Sequence, residues 1–262
     1  MKILAVLFLS LFVPVVCAQT VPTNDQIFAA LYGSHYNPET KVATWHCPQE
    51  TATSPDECIS KTDSVAKIDL MLMHLIEVDG TWKAFVVTSA IVKSYTCHAC
   101  QPPIVAAVFA FRDHKWQVES QTENNYQFGA FGDPASSTLV KIGPKLYGFM
   151  FTLDWALRGY EGTQAQLLAP VDKTVQKVWS GSLYEDNSGD YDPTGKIGSS
   201  HRIHFDAAYR VVPIVYNGFY LFQIVGRGNG NTYRSGSGTF TYHFLDGEYR
   251  PMGKHWQLRS RP

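Results

Sequence analysis

The amino-acid sequence predicts an all-β, largely antiparallel fold, a hairpin-rich sandwich or barrel with one short N-terminal helix. Three observations carry this. A helical period is readable once and then disappears. One form of hairpin recurs four times along the chain. Aromatic residues, six Trp, fourteen Tyr and fifteen Phe, are abundant and repeatedly open the return strands, where flat rings suit a half-buried pleated face.

The helix is read in TNDQIFAALYG. Thr23 and Gln26 have the spacing of a capping box, Ile27, Ala30 and Leu31 share a helical face, and Gly33 suits the stop. SVAKIDLMLMHL, Ser64 to Leu75, is apolar enough to fit a buried strand or a short helix equally well. The hairpins follow. HLIEVDGTWKAFVV turns at Asp79-Gly80 and AVFAFRDHKWQVES at Asp113-His114; PIVYNGFYLFQIV turns at Asn217-Gly218 and TYHFLDGEYRP at Asp246-Gly247. Asp-Gly and Asn-Gly supply the positive φ angles that two-residue hairpins require. Further strands are expected at STLVKIG, KLYGFMFTLDW, KTVQKVWSGSLY and SHRIHFDAAY. The hairpin spacing is too irregular for a propeller or solenoid. PQETATSPDE and EDNSGDYDPTGKIGSS read as long surface loops, and GRGNGN, Gly226 to Asn231, as a hairpin tip.

The first residues, MKILAVLFLSLFVPVVCAQT, combine a charge at Lys2, an apolar run from Ile3 to Val16 and the junction Val16-Cys17-Ala18. That is the pattern of a secretory signal peptide over residues 1–18, with cleavage before Gln19 and a single β-rich domain over 19–262. A lipoprotein would acylate Cys17, but Val16 stands where a small residue is wanted. No other stretch is apolar for long enough to span a bilayer, so no transmembrane segment is expected in the mature chain. The chain has no Asn-x-Ser/Thr sequon, which favours a bacterial origin. With 22 basic and 23 acidic residues the net charge is −1, so no electrostatic footprint for nucleic acid is present.

Four cysteines remain beyond Cys17: Cys47, Cys58, Cys97 and Cys100. An even number in an exported chain predicts disulfides. Local pairing is the simplest connectivity: Cys47 with Cys58 around PQETATSPDE, worth about 3 kcal/mol, and Cys97 with Cys100. Haem attachment would need His where Gln101 stands, and a thiol oxidoreductase would need a helix where Pro102-Pro103 and the strand IVAAVFAF follow. A metal site is the stronger rival, with Cys97, His98 and Cys100 as ligands, joined by His46 and the other cysteines, or by Met71, Met73 and His74 for copper. Thiolates in an oxidising compartment tend to close into disulfides first, and Met residues on an apolar strand usually fill core.

Two further polar clusters invite a site. Asp186, Ser188, Asp190 and Asp192 occupy alternate positions like the first ligands of a calcium loop, but Tyr191 and Ile197 stand where such a loop needs Gly and Glu. HRIHFD, as a strand, puts Arg202, His204 and Asp206 on one side and His201, Ile203 and Phe205 on the other. The chain has no G-x-S-x-G and no H-E-x-x-H, so no catalytic residue is assigned and no cofactor is expected.

The order of signal peptide, short helix, Cys-His-x-Cys before Pro (Cys97, His98, Cys100, Pro102) and a terminal Phe-x-Asp-Gly-x-Tyr hairpin (Phe244, Asp246, Gly247, Tyr249) resembles that of exported bacterial β-rich proteins without an assigned activity. The resemblance implies a periplasmic or secreted location and transfers no catalytic residue. The expected function is a non-catalytic, disulfide-stapled binding or protein-interaction protein, with a protein or glycan as partner. The alternative is a periplasmic metal-handling or thiol-redox protein centred on Cys97 and Cys100. A third is a cell-wall or carbohydrate hydrolase.

Overall fold

The structure, a computed structural model, describes residues 21–45, 64–92, 100–123, 126–194, 198, 201–229 and 236–252. Helix α1 (Asn24–Tyr32) starts as its sequence dictates. The Thr23 hydroxyl accepts from the Gln26 N–H at 3.2 Å, and the Gln26 side chain accepts from the Thr23 N–H at 2.9 Å. The helix stops at Gly33 and passes into a 3-10 turn, Gly33–His35. Its buried residues are Ile27 and Phe28, with Leu31 and Tyr32 partly buried beside them, so the core stripe is rotated away from the Ile27–Ala30–Leu31 face and Ala30 is exposed. The Tyr32 hydroxyl meets Thr88 at 2.8 Å, and burial pushes its pKa up to about 12. Thr23→Ala removes the reciprocal cap and should cost about 1 kcal/mol, read as a shift of the urea midpoint with no change in slope.

Strands β1 (Tyr36–Asn37), β2 (Val42–Trp45), β3 (Ser64–Val78), β4 (Thr81–Val92), β5 (Ile104–Arg112) and β6 (Lys115–Gln121) form an antiparallel meander. A small ribbon of β7 (Gly129–Ala130) and β8 (Asp133–Pro134) follows. A second antiparallel meander then runs through β9 (Ser136–Lys141), β10 (Tyr147–Leu157), β11 (Tyr160–Val171), β12 (Thr174–Asp186), β13 (His204–Tyr216), β14 (Phe219–Asn229), β15 (Gly236–Leu245) and β16 (Glu248–Pro251). Among the described residues, main-chain pairing joins the two meanders at one parallel pair, Thr174 with Gln121. The second curls on itself without closing into a barrel, and Gln176 on β12 donates to the Gly247 carbonyl in the last turn at 3.2 Å.

All four expected hairpin turns are present, with both central residues at positive φ: 54° and 73° at Asp79-Gly80, for example. The ambiguous SVAKIDLMLMHL lies within strand β3. The strand over SHRIHFDAAY begins only at His204, and β11 is a strand the sequence expectations lack. Gly226 to Asn229 belong to strand β14, and Gly230 and Asn231 of the expected hairpin tip lie outside the described residues. PQETATSPDE lies outside the described residues. Among the described residues, no helix is long and apolar enough to cross a membrane.

Side-chain alternation sorts the strands into layers. On β4 and β5, Ala84, Val86, Ala107 and Phe109 face a cluster under α1, while Phe85, Val87, Ala106 and Val108 face the opposite way. There they meet Phe149, Phe151 and Leu168 of β10 and β11. The other faces of those two strands send Met150, Ala165 and Leu167 into a third cluster with Phe205, Phe222, Tyr242 and Tyr249. Strands covered on both faces lose polar alternation, as sheets buried on both sides do. A register shift between Leu70 and Leu72 puts Met71 and Met73 against different clusters, with His74 exposed, so these three do not form a common ligand face.

Candidate functional site

The end of the sheet where β10, β11, β12 and β13 meet gathers polar and aromatic side chains on both faces. Its position follows from register. Trp155 pairs with Gly162, Gly162 with Glu185, and Glu185 with Phe205, so these residues share one face. Glu161 pairs with Asp186 and Asp186 with His204 on the other.

A cleft of about 300 Å³ is lined by Trp155, Gln164, Ser182 and Glu185 of the first face and reaches round the end of the sheet to Tyr160, Glu161 and Asp186. Gly162 makes room for the Trp155 ring: a Cβ there would lie 2.9 Å from the ring carbons Cε2 and Cζ2. The indole N–H of Trp155 is buried without a hydrogen-bond partner among the described residues. Gln164 donates to the Ser182 hydroxyl at 2.7 Å. Ser182 and Glu185 are both buried, and Asp186 and Ile203 complete the rim.

On the second face Asp186 is the hub. It is 6% exposed and takes both guanidinium nitrogens of Arg202, at 2.9 and 3.0 Å, His204 Nδ1 at 2.7 Å and the Ser188 N–H at 2.6 Å. Burial alone would raise its pKa. The hydrogen bonds from Ser188, His204 and Arg202 outweigh that and hold the carboxyl well below its usual range. Asn187, fully buried, accepts from the Ile203 N–H and donates to the His201 carbonyl, both at 2.7 Å, which pins the 201–203 segment and sets Arg202 over Asp186. Tyr184 donates to Glu161 at 2.8 Å. That hydrogen bond, with burial and the Asp186 charge, pushes the phenol up to about 12, so it stays a donor across ordinary pH.

The sequence candidates therefore fall into a different grouping. Arg202 and His204 do converge, but on Asp186, the first position of the supposed calcium loop. Asp206 turns away, 3.7 Å from Arg227. Of the remaining loop positions, Asp192 accepts from the Thr194 N–H at 2.8 Å and its hydroxyl at 2.7 Å, Ser188 is exposed, and the Asp190 N–H bonds to the Asn187 carbonyl at 3.0 Å. Among the described residues, no group of three or more His, Cys, Asp or Glu side chains is placed to hold a metal ion.

Cys47, Cys58, Cys97 and His98 lie outside the described residues. Cys100 is disulfide-bonded and 6% exposed, in the cluster under α1, and its carbonyl accepts from the Gly132 N–H at 2.8 Å.

The cleft residues of β11, Tyr160, Glu161 and Gln164, are the ones sequence reasoning missed. A signal for them exists: TLDWALRGYEG repeats the hairpin form, with Arg158-Gly159 at φ 50° and 79° and Tyr160 opening the return strand. Arg in place of Asp or Asn hid it. No known protein family, no curated protein and no solved structure matches this chain.

Proposed function

We propose that the protein is an exported, disulfide-stapled binding protein without catalysis of its own, and that it holds a glycan unit in the cleft at the end of β10, β11 and β12. The observation that carries this is the convergence of two aromatic rings, Trp155 and Tyr160, with Glu161, Gln164, Ser182 and Glu185 around one small concavity. A sugar ring offers an apolar face for an aromatic and a rim of hydroxyls for acceptors and donors, and that is the chemistry the cleft displays. A space of about 300 Å³ stands at the small end of ligand sites, which are roughly 300–1,000 Å³. One monosaccharide unit matches it.

The non-catalytic part of the proposal rests on Asp186. A general acid needs a raised pKa. Asp186, on the rim of the cleft, is held in the opposite direction by its hydrogen bonds from Ser188, His204 and Arg202. Export rests on the first eighteen residues and the disulfide framework on the cysteine count, with Cys100 one of its members.

Calorimetric titration with a panel of soluble oligosaccharides and cell-wall glycan fragments tests the proposal. Saturable binding to at least one of them is expected, weakened about tenfold or more by Trp155→Ala with the fold retained. Absence of binding across the panel, or binding indifferent to Trp155→Ala and Gln164→Ala, overturns the site. Release of reducing ends during the titration overturns the non-catalytic assignment.

A further inference from the structure

A second cleft, of about 610 Å³, opens in the seam between the two meanders. We propose that it binds a small organic oxyanion, a molecule with a phosphate or carboxylate head and an apolar body.

The first observation is charge. Lys83 and Arg112 from the first meander and Lys145 and Lys173 from the second line the cleft, against the carboxylates Glu119 and Asp172. Glu119 is shared, at 2.6 Å from Lys83 and 2.6 Å from Arg112, so one carboxylate faces two cations. Lys145 pairs with Asp79 at 2.7 Å, but both are largely exposed and such a pair is worth little. Lys173 forms no ion pair among the described residues. In a chain whose net charge is −1, this is a local positive excess, and low-dielectric walls focus its field.

The second observation is independent of charge. Ser120 is 3% exposed, and its hydroxyl is buried without a hydrogen-bond partner among the described residues. Register aims it: Phe85 pairs with Val108 and Val108 with Ser120, and this row of side chains forms one wall of the cleft. A buried hydroxyl left unpaired is costly and uncommon. An oxyanion head beside Lys83 would accept its proton. Val118, Leu146 and Tyr147 supply apolar surface for the body of the same ligand.

The test is calorimetry on the full mature chain with three probes: octyl phosphate at a monomeric concentration, inorganic phosphate and octanol. Octyl phosphate is expected to bind saturably, and each half-probe about tenfold or more weakly. Lys173→Glu should weaken octyl phosphate by about tenfold and Lys173→Arg should preserve it. Ser120→Ala should weaken binding while leaving the melting temperature unchanged or higher, because it removes an unpaired polar group. Trp155→Ala should have no effect, which keeps this cleft distinct from the glycan site. No saturable binding of octyl phosphate, equal binding of octanol, indifference to Lys173→Glu, or loss of binding in Trp155→Ala would each overturn the proposal.

Discussion

Phe222→Ala should destabilise the protein by about 4 kcal/mol, lowering the melting temperature by roughly 8–16 °C. Phe222 is fully buried on β14 and is the hub of an aromatic cluster. Its ring lies 4.9 Å from Trp179, 5.5 Å from Tyr249 and 6.0 Å from Tyr209, the last stacked. Truncation removes the transfer free energy of the ring, and large neighbours held on separate strands cannot all collapse into the void. Phe222→Leu keeps most of the volume and should cost about 1.5 kcal/mol. Urea denaturation of both variants checks the pair; equal costs would mean that the cluster repacks freely.

Asp186→Ala is the second large effect. It leaves Arg202 and His204 without the carboxylate they share and should cost about 2–3 kcal/mol, less than a fully buried pair because both partners are partly exposed. The pH dependence follows from the depressed pKa. The folded state binds the Asp186 proton less tightly than the unfolded chain, whose carboxyl has the ordinary value of 3.8. The stabilisation is therefore present above that value and is lost as the pH falls below about 4 toward the folded value. Wild type should lose more stability than Asp186→Ala between pH 5 and pH 2, as measured by urea midpoints, so the difference between them should narrow on acidification. A difference constant with pH would show that the carboxylate charge is not what holds Arg202 and His204.

The contrast between the legible and the hidden parts is local against long-range. Thr23 and Gln26 define a cap within four residues, and Asp79-Gly80 or Asn217-Gly218 define a turn within two, so the helix and four hairpins could be read from the sequence. Strand β11 is harder to read: its opening turn carries Arg158 where the other hairpins carry Asp or Asn, and Leu167, Leu168 and Ala169 are buried in succession on both faces and leave no alternation to detect. The site shows the same division. The proximity of Arg202 to His204 was visible in HRIHFD, but their partner comes from the pairing of β12 with β13, which places Asp186 opposite His204. A pattern within six residues carries no information about that register. Asp206 was the local guess, and the loop preceding β13 defeats it, since Arg202 reaches Asp186 from outside the strand.

The single main-chain pair between β6 and β12 has a mechanical consequence. Each meander is internally laced by ladders of hydrogen bonds, yet among the described residues one main-chain pair crosses the boundary between them, and the join is otherwise made by side chains, chiefly those around Phe85, Val108, Phe149 and Phe151. Load applied across that boundary would be borne by dispersion and water exclusion, which act over short distances and yield progressively. Load along a strand would meet many hydrogen bonds at once. Resistance to load therefore rests on hydrogen-bond ladders within each meander and on side-chain packing between them.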